Sequence, residues 1–591
     1  MRARPLSSLP LGVCLAAALP LGGCRQSAPP APAATTTPVA FAAFVDRFLD
    51  AFARMNPSIA AGNGLHQYDD TLEDFSAAGI RGQIATWREL QAALRALPVE
   101  GLTADERVDH RIMAGLADGW LLDLDSVKSW QKNLMVYASA VSSGVHNLMT
   151  MESAPAEVRA RRIIAKLEGV PALLAAADAN LTDPPKVMAE RGVRMFRGAA
   201  GMLRHDVPIA FAGLGDATLK RDLTTAAAGA ATAIEAFADR FEKDRLPKAG
   251  GGYAVGRETL EARYRAEELI DLPAAQLLEI GERELAAAER AFIAAAATID
   301  PQQHALGVWA QILRDHPARG ALVPAAQKAV DALQAFVTGK GLVTLPSPEP
   351  VVVAAAPPYD LGLASMHSSP PLEATPVKSY FYITDAQAEW DAARQDAWLQ
   401  KFNIPTLTVI AAHEVMPGHY VHSLFMRRTP GKIRRIWIGL NPFPQPSSGQ
   451  DGWAHYAEQM VLDEGFMADD PRYRMAQLSE AMTRICRLIA GIQLHTGAWT
   501  VDQAAQLFEL RAHLPPPAAR QEAERGTYDP TYGGYFLGKL QALKLRDDVR
   551  AKEGAAFDLR RFHERVMTNG IAPWWAHRQL LLPGDTAPLL H

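Results

Sequence analysis

The chain has 591 residues, 48% hydrophobic and 21% charged, a balance that suits a large buried core and disfavours intrinsic disorder or a small disulfide-stapled scaffold. Its 60 Lys and Arg against 65 Asp and Glu leave a formal charge of −5, with no cationic footprint for nucleic acid. No nucleic-acid partner is expected.

At the N-terminus, Arg2 and Arg4 precede an apolar stretch from Leu6 to Leu21 that ends in Leu21-Gly22-Gly23-Cys24. This pattern predicts an export signal over residues 1–23, and the small residues before Cys24 resemble the lipobox of bacterial lipoproteins. The stretch is short for a bilayer span and interrupted by proline, as a cleaved signal would be. Removing residues 1–23 deletes two arginines and no acids and takes the charge from −5 to −7. Of three cysteines, Cys14 leaves with the signal and Cys24 becomes acylated, so Cys486 remains as a single thiol and no internal disulfide is expected. Residues 24–40 are expected to be a flexible tether, because the Pro/Ala/Thr tract from Arg25 to Thr37 cannot pack a core. One domain is expected over residues 41–591, in a bacterial cell envelope and exposed to the periplasm or exterior, with the membrane reached through the lipid on Cys24.

From Phe41 to about Leu246, apolar residues recur at spacings of three and four, which predicts stacked helices. Phe44, Phe48 and Phe52, and later Val158, Ile163, Ile164 and Leu167, are expected in the core. Lys248-Ala-Gly-Gly-Gly252 is a break without the residues of a phosphate loop, and helical spacing returns from Glu258 to Thr298. Between Leu342 and Thr384, eight prolines exclude long helices, while Val351–Val353 and Tyr380–Thr384 are strand candidates. Helical pattern dominates again from Asp385 to Phe425 and from Gly452 to Ala468. The expected class is mainly α, with a small β-sheet near the helix that carries the chemistry.

That chemistry centres on His413-Glu414-Val415-Met416-Pro417-Gly418-His419. Neutral imidazoles suit zinc, and a glutamate beside one ligand suits the base that activates water. The two histidines are six residues apart, which on an ideal helix means about 240° of rotation and about 9 Å of rise, too far for one ion. Pro417 removes the N–H that would bond the His413 carbonyl, and Gly418 permits an unusual backbone angle, so the segment carries the means to close that gap. Spacing alone leaves open a metal site or two structural histidines in a kinked helix.

HEVMPGHYVH resembles the HExxPGHxxQ signature of the DUF885 family, bacterial envelope proteins related to zinc metallopeptidases. Leu65–Asp70 (LHQYDD) and Asp105–His110 (DERVDH) are similar to its N-terminal landmarks, and Asp451–Glu458 (DGWAHYAE) to its EGWAxYAE segment. Tyr535-Phe-Leu-Gly-Lys539 with Arg546 resembles YxxGK…R, and Phe562-His563 with Asn569-Gly570 resembles FH…NG. The resemblance implies a large helical metallopeptidase-like fold of the thermolysin superfamily, related to carboxypeptidase Taq-like enzymes. It implies a Zn²⁺ cofactor on His413 and His419, Glu414 as general base and a peptide substrate. The acid before Gly-Trp-Ala is implied as the third ligand; here it is Asp451, one methylene shorter than the usual glutamate. His422 and His455 also depart from the pattern and are read as second-shell or surface histidines or as alternative ligands. Asp451, His455 and Glu458 fall on one helical face, and Glu458 is expected to orient a ligand histidine. Tyr535 is the first choice for an oxyanion donor, against a plain packing role, with Tyr532 and His563 behind it. Arg546 is read as pairing with a substrate carboxylate or with a structural acid.

Strand addition of substrate is expected at Ala364–Met366 or Tyr380–Ile383, and the basic run Arg427–Arg435 is read as a solvated loop after a helix, or else as a charge that steers an acidic C-terminus. Serine, nucleotide and cysteine chemistry lack their defining motifs. The competing readings are a catalytically silent, envelope-tethered peptide-binding protein and a metal-dependent amidase of the same fold.

Overall fold

The computed structural model describes residues 37–357, 362–436 and 447–591. Cys24 and the expected signal lie outside the described residues. The first described helix, Thr37–Met55, begins inside the stretch expected to be tether and buries Phe44, Phe48 and Phe52 at 5% exposure or less. Around it, helices up to Ala217–Asp244 form a first core, in which Trp87 and Trp120 stack at 5.9 Å. Ile163 and Leu167 are buried in that core and Ile164 packs partly against it. Val158, expected beside them, is 39% exposed, because the first turn of the helix Ala156–Glu168 turns that position to solvent.

The break at Lys248–Gly252 leads into the helices Arg257–Glu267 and Ala274–Ile299, which with Pro471–His495 and Pro516–Tyr528 enclose a separate core. Cys486 is buried there, and burial pushes its thiol well above the usual range. A third core packs the sheet against the helices of the candidate site. Among the described residues no helix is long and apolar enough to cross a membrane.

The sheet comprises β1 (Val351–Ala355), β2 (Ala364–His367) and β3 (Ser379–Ile383) in the order β1-β3-β2, with β1 parallel and β2 antiparallel to β3. Phe381 stands opposite both Val353 and Met366, and it is fully buried against the third core together with Ile383. Tyr380–Ile383 therefore belongs to the central strand, and strand addition there is ruled out because both of its sides are already paired. Ala364–Met366 does lie on an edge strand, as expected.

The helical stretch expected from Asp385 begins at Ala392, where the Asp391 carboxylate accepts from the Arg394 N–H at 2.8 Å, a normal N-cap. The stretch expected from Gly452 to Ala468 starts earlier and ends earlier, spanning Ser447–Asp463.

The N-terminal landmarks are clamps between distant segments. His66 bonds Asp69 at 2.8 Å and Glu373 at 2.6 Å, tying the first core to the segment before β3. Asp105 and Asp109 hold the Arg434 guanidinium at 2.5 and 2.6 Å, and Arg434 has no exposed side-chain surface. Arg427 meanwhile donates to the carbonyls of Pro370 and Glu373. Arg434 is thus a buried brace, since two acids of one distant helix neutralise it, while Arg428 and Lys432 of the same run stay at the surface as expected.

Candidate metal centre

His413 and Glu414 end the helix Ile404–Glu414, and His419 begins the helix His419–Met426. The chain between them is no longer a kinked helix but a full break. Val415 and Met416 both donate to the Ala411 carbonyl, and the Gly418 N–H reaches back to Ala412 at 3.0 Å. A Cβ on Gly418 would overlap the His413 carbonyl oxygen, so only glycine allows the two helices this approach. The Pro417 carbonyl, left without a helical partner, accepts from the Trp453 indole N–H at 3.0 Å. As a result the two imidazole rings, expected about 9 Å apart on an ideal helix, stand with centroids 4.7 Å apart and planes at 87°.

Asp451 enters from the helix Ser447–Asp463. Its Oδ1 lies 3.8 Å from His413 Nε2 and 3.7 Å from His419 Nε2. These gaps are too long for hydrogen bonds. They are close to the roughly 3.3–3.4 Å that separates two donors placed at normal distance on one tetrahedral zinc. One ligand atom from each of His413, His419 and Asp451 lies within 4.8 Å of the others. The donor set therefore fits zinc by chemistry and by spacing.

Two turns further along the same helix, Glu458 is fully buried and takes three partners. Its Oε1 accepts from His413 Nδ1 at 2.7 Å and pairs with Arg484 at 3.0 Å, and its Oε2 bonds His455 Nδ1 at 3.1 Å. The His413 Nδ1–H is thereby committed, which leaves the Nε2 lone pair facing Asp451 and His419. Burial alone would lower the His413 imidazole, but Asp451 and Glu458 outweigh it and carry it up to about 9. Burial would raise Asp451 and Glu458; the histidines, and for Glu458 first Arg484, hold both carboxylates well below their usual range instead. The ligand helix is pinned at its start by Glu268, whose carboxylate accepts from the Ser447 hydroxyl and the Ser448 N–H at 3.0 Å each.

Glu414 is half-buried and makes no hydrogen bond or ion pair among the described residues. Tyr535, on the helix Gly534–Glu553, accepts a hydrogen bond from Arg525 at 2.8 Å. Because guanidinium only donates, the phenolic hydrogen remains available to another acceptor. Burial pushes this phenol up to about 12 against the pull of Arg525, and the nearby Asp451 carboxylate adds to the rise.

The other expected site residues lie elsewhere. His422 is buried with Nε2 on the Gly570 carbonyl at 3.3 Å, and burial together with His419 lowers it to about 3. His455 is buried and bonds Glu458 through Nδ1 at 3.1 Å. Arg546 pairs with Asp547 at 3.0 Å and lies over the Tyr456 ring, so it takes the structural-acid role rather than a place in the cluster. His563 bonds the Tyr456 hydroxyl and the Leu342 carbonyl, and Tyr532 is buried with its hydroxyl toward the Glu522 carbonyl, which removes both reserves. Arg484, Arg525 and Trp453 were not anticipated. Arg484 alone had a readable sign, a charged residue inside the apolar run that surrounds Cys486.

Residues 57–577 match the family described as bacterial protein of unknown function, DUF885, and the chain belongs to that family. Among solved structures, it is similar to a candidate lipoprotein of unknown function from Shewanella oneidensis, with a TM-score of 0.73 and 24% identity over 92% of this chain and 99% of the other. A candidate lipoprotein from Colwellia psychrerythraea superposes with a TM-score of 0.77 at 17% identity, covering 93% of this chain and 99% of its own. Both share the fold over nearly the full length. A comparison with curated proteins finds no match.

Proposed function

We propose that this protein is a zinc-dependent peptidase of the bacterial cell envelope, with a site related to those of the thermolysin superfamily. The observation that carries the reading is the convergence of His413, His419 and Asp451 at distances too long for mutual hydrogen bonds, with Glu458 seated on the free ring nitrogen of His413. Zinc on these three residues would supply a Lewis acid that polarises the scissile carbonyl and acidifies water. Glu414 takes a proton from the attacking water and delivers it to the departing amine. Tyr535, its oxygen fixed by Arg525, donates its hydrogen toward the oxyanion that forms on the carbonyl. Glu458 and Arg484 keep His413 in the tautomer that presents Nε2. The Leu21–Cys24 motif, together with two solved relatives that are each named candidate lipoproteins, supports a lipid anchor on Cys24 that holds the domain at the membrane.

The test is elemental analysis of the purified mature chain followed by peptide cleavage with and without a chelator. The expected result is about one zinc per chain, as three ligands and an open position imply, and cleavage that Glu414→Gln slows by about 10²–10⁴ without loss of metal. A protein that carries no metal, or a Glu414→Gln variant with wild-type turnover, would overturn the reading.

A further inference from the structure

A cavity of about 340 Å³ lies where three helices from different parts of the chain meet. Met135 and Ser139 come from Leu134–Thr150, Arg191 from Lys186–Gly201, and Glu522, Arg525 and Tyr528 from Pro516–Tyr528. Its volume falls in the range of small-ligand sites, about 300–1,000 Å³. The cavity is joined to the candidate metal centre by one residue, since Arg525 lines it and also donates to Tyr535.

The charges around the cavity are paired with one exception. Glu522 is held by Arg487 at 2.8 Å, and Arg525 by Asp529 at 3.0 Å. Arg191 has no ion pair or hydrogen bond among the described residues, and its Nε is buried without a partner. Its guanidinium lies 5.1 Å from the centre of the Tyr528 ring, an aromatic contact that leaves the charge uncancelled. The terminal guanidinium nitrogens, which make no hydrogen bond or ion pair among the described residues, can take a carboxylate through two parallel hydrogen bonds. Met135 and the Tyr528 ring offer apolar surface to the atoms that carry that carboxylate.

We infer that this cavity binds a carboxylate of the substrate, with Arg191 as its charge partner. The inference rests on the peptidase reading for the identity of the ligand as a peptide. The carboxylate is either the free C-terminus or an acidic side chain, and both present the same group.

The test compares one short peptide in three forms: the free acid, its C-terminal amide, and the amide with a glutamate added. Affinity is measured by calorimetry on the full mature chain carrying Glu414→Gln, and KM and kcat on the chain with Glu414 intact. The expected result is that a carboxylate form binds about 10–100-fold tighter than the neutral amide, the scale of a charge-assisted bidentate pair. Arg191→Gln should erase that advantage and raise KM far more than it lowers kcat, and Arg191→Lys should restore part of it. Preference for the free acid assigns the C-terminus, and preference for the glutamate amide assigns a side chain. Ser139→Glu, which sets a carboxylate inside the cavity, should abolish the preference even if Arg191→Gln folds poorly. Equal affinity for all three forms, or a preference unchanged by Arg191→Gln and Ser139→Glu, overturns the inference even if peptides are cleaved. An Arg191-dependent preference in a protein that cleaves none of them supports the cavity while removing the peptidase reading.

Discussion

Glu458→Ala separates the ligand role from the supporting role more sharply than any other substitution in the site. Glu458 has no exposed side-chain surface and binds His413, His455 and Arg484 at 2.7, 3.1 and 3.0 Å. Deleting its carboxylate leaves a buried guanidinium that keeps only Glu480, at 2.9 Å, and two imidazole N–H groups with no acceptor. Breaking a buried pair from one side costs about 3–5 kcal/mol. The surviving Glu480 contact places the expected loss at the lower end, about 3 kcal/mol. His413 also loses the partner that fixes its tautomer and ring plane, which should weaken zinc by about 10–100-fold, or about 1.4–2.8 kcal/mol. A competition titration with a fluorescent zinc chelator measures this directly, and thermal unfolding in excess chelator isolates the metal-free part. Asp451→Ala should instead empty the site at low zinc. A Glu458→Ala protein that binds no zinc, beside an Asp451→Ala protein that binds it like the wild type, would refute the reasoning and make Glu458 the ligand.

Tyr535→Phe should retain zinc and lower kcat by about 10²–10³, the usual effect of losing one oxyanion donor; steady-state kinetics with unchanged kcat would remove Tyr535 from the chemistry. Gly418→Ala should force the helices apart at the His413 carbonyl, so that zinc affinity and thermal stability fall together in titration and melting experiments. His66, lowered by burial but raised more by Asp69 and Glu373, stands at about 9 against an ordinary 6.5. Its folded-state value lies above the unfolded one, so its stabilising contribution is complete below pH 6.5 and is lost as pH rises through about 9. Melting temperatures of wild type and His66→Gln across this window should therefore converge at the alkaline end, and a constant difference would exclude protonated His66 as the clamp.

Much of this site was legible because its parts are local. The HEVMPGH segment contains its own cause of distortion, Pro417 and Gly418, next to the residues that need it. The spacing of Asp451, His455 and Glu458 places them on one helical face without any knowledge of the partner helices, and the structure keeps them there. What failed to read was relational. Tyr380–Ile383 alternates as any half-buried strand does, and nothing in that alternation says whether one or both sides are paired. Arg434 looks like one more charge in a basic run until Asp105 and Asp109, more than 300 residues earlier, close on it. Arg191 and Arg525 meet through packing between helices that share no motif.

The departure that most weakened the metal reading at the level of sequence was Asp451 in place of a glutamate. The packing of its helix accounts for the shorter side chain. Gly452, the next residue, faces Gly538 of the Tyr535 helix, and a Cβ on Gly452 would come within 2.5 Å of the Gly538 Cα. Two helices that meet backbone to backbone approach more closely than side-chain contacts allow. The same contact sets Tyr535, one turn before Gly538, close enough to Asp451 to feel its charge. On the opposite side, Trp453 bonds the Pro417 carbonyl and draws the helix toward the break between the histidines. With the backbone held from both sides, Oδ1 of an aspartate already lies within 3.8 Å of both Nε2 atoms. A glutamate on this backbone would carry its oxygens one methylene further, into the space that the proposed ion would occupy. The aspartate and the Gly452–Gly538 contact are therefore parts of one arrangement, in which a closer helix and a shorter ligand compensate each other.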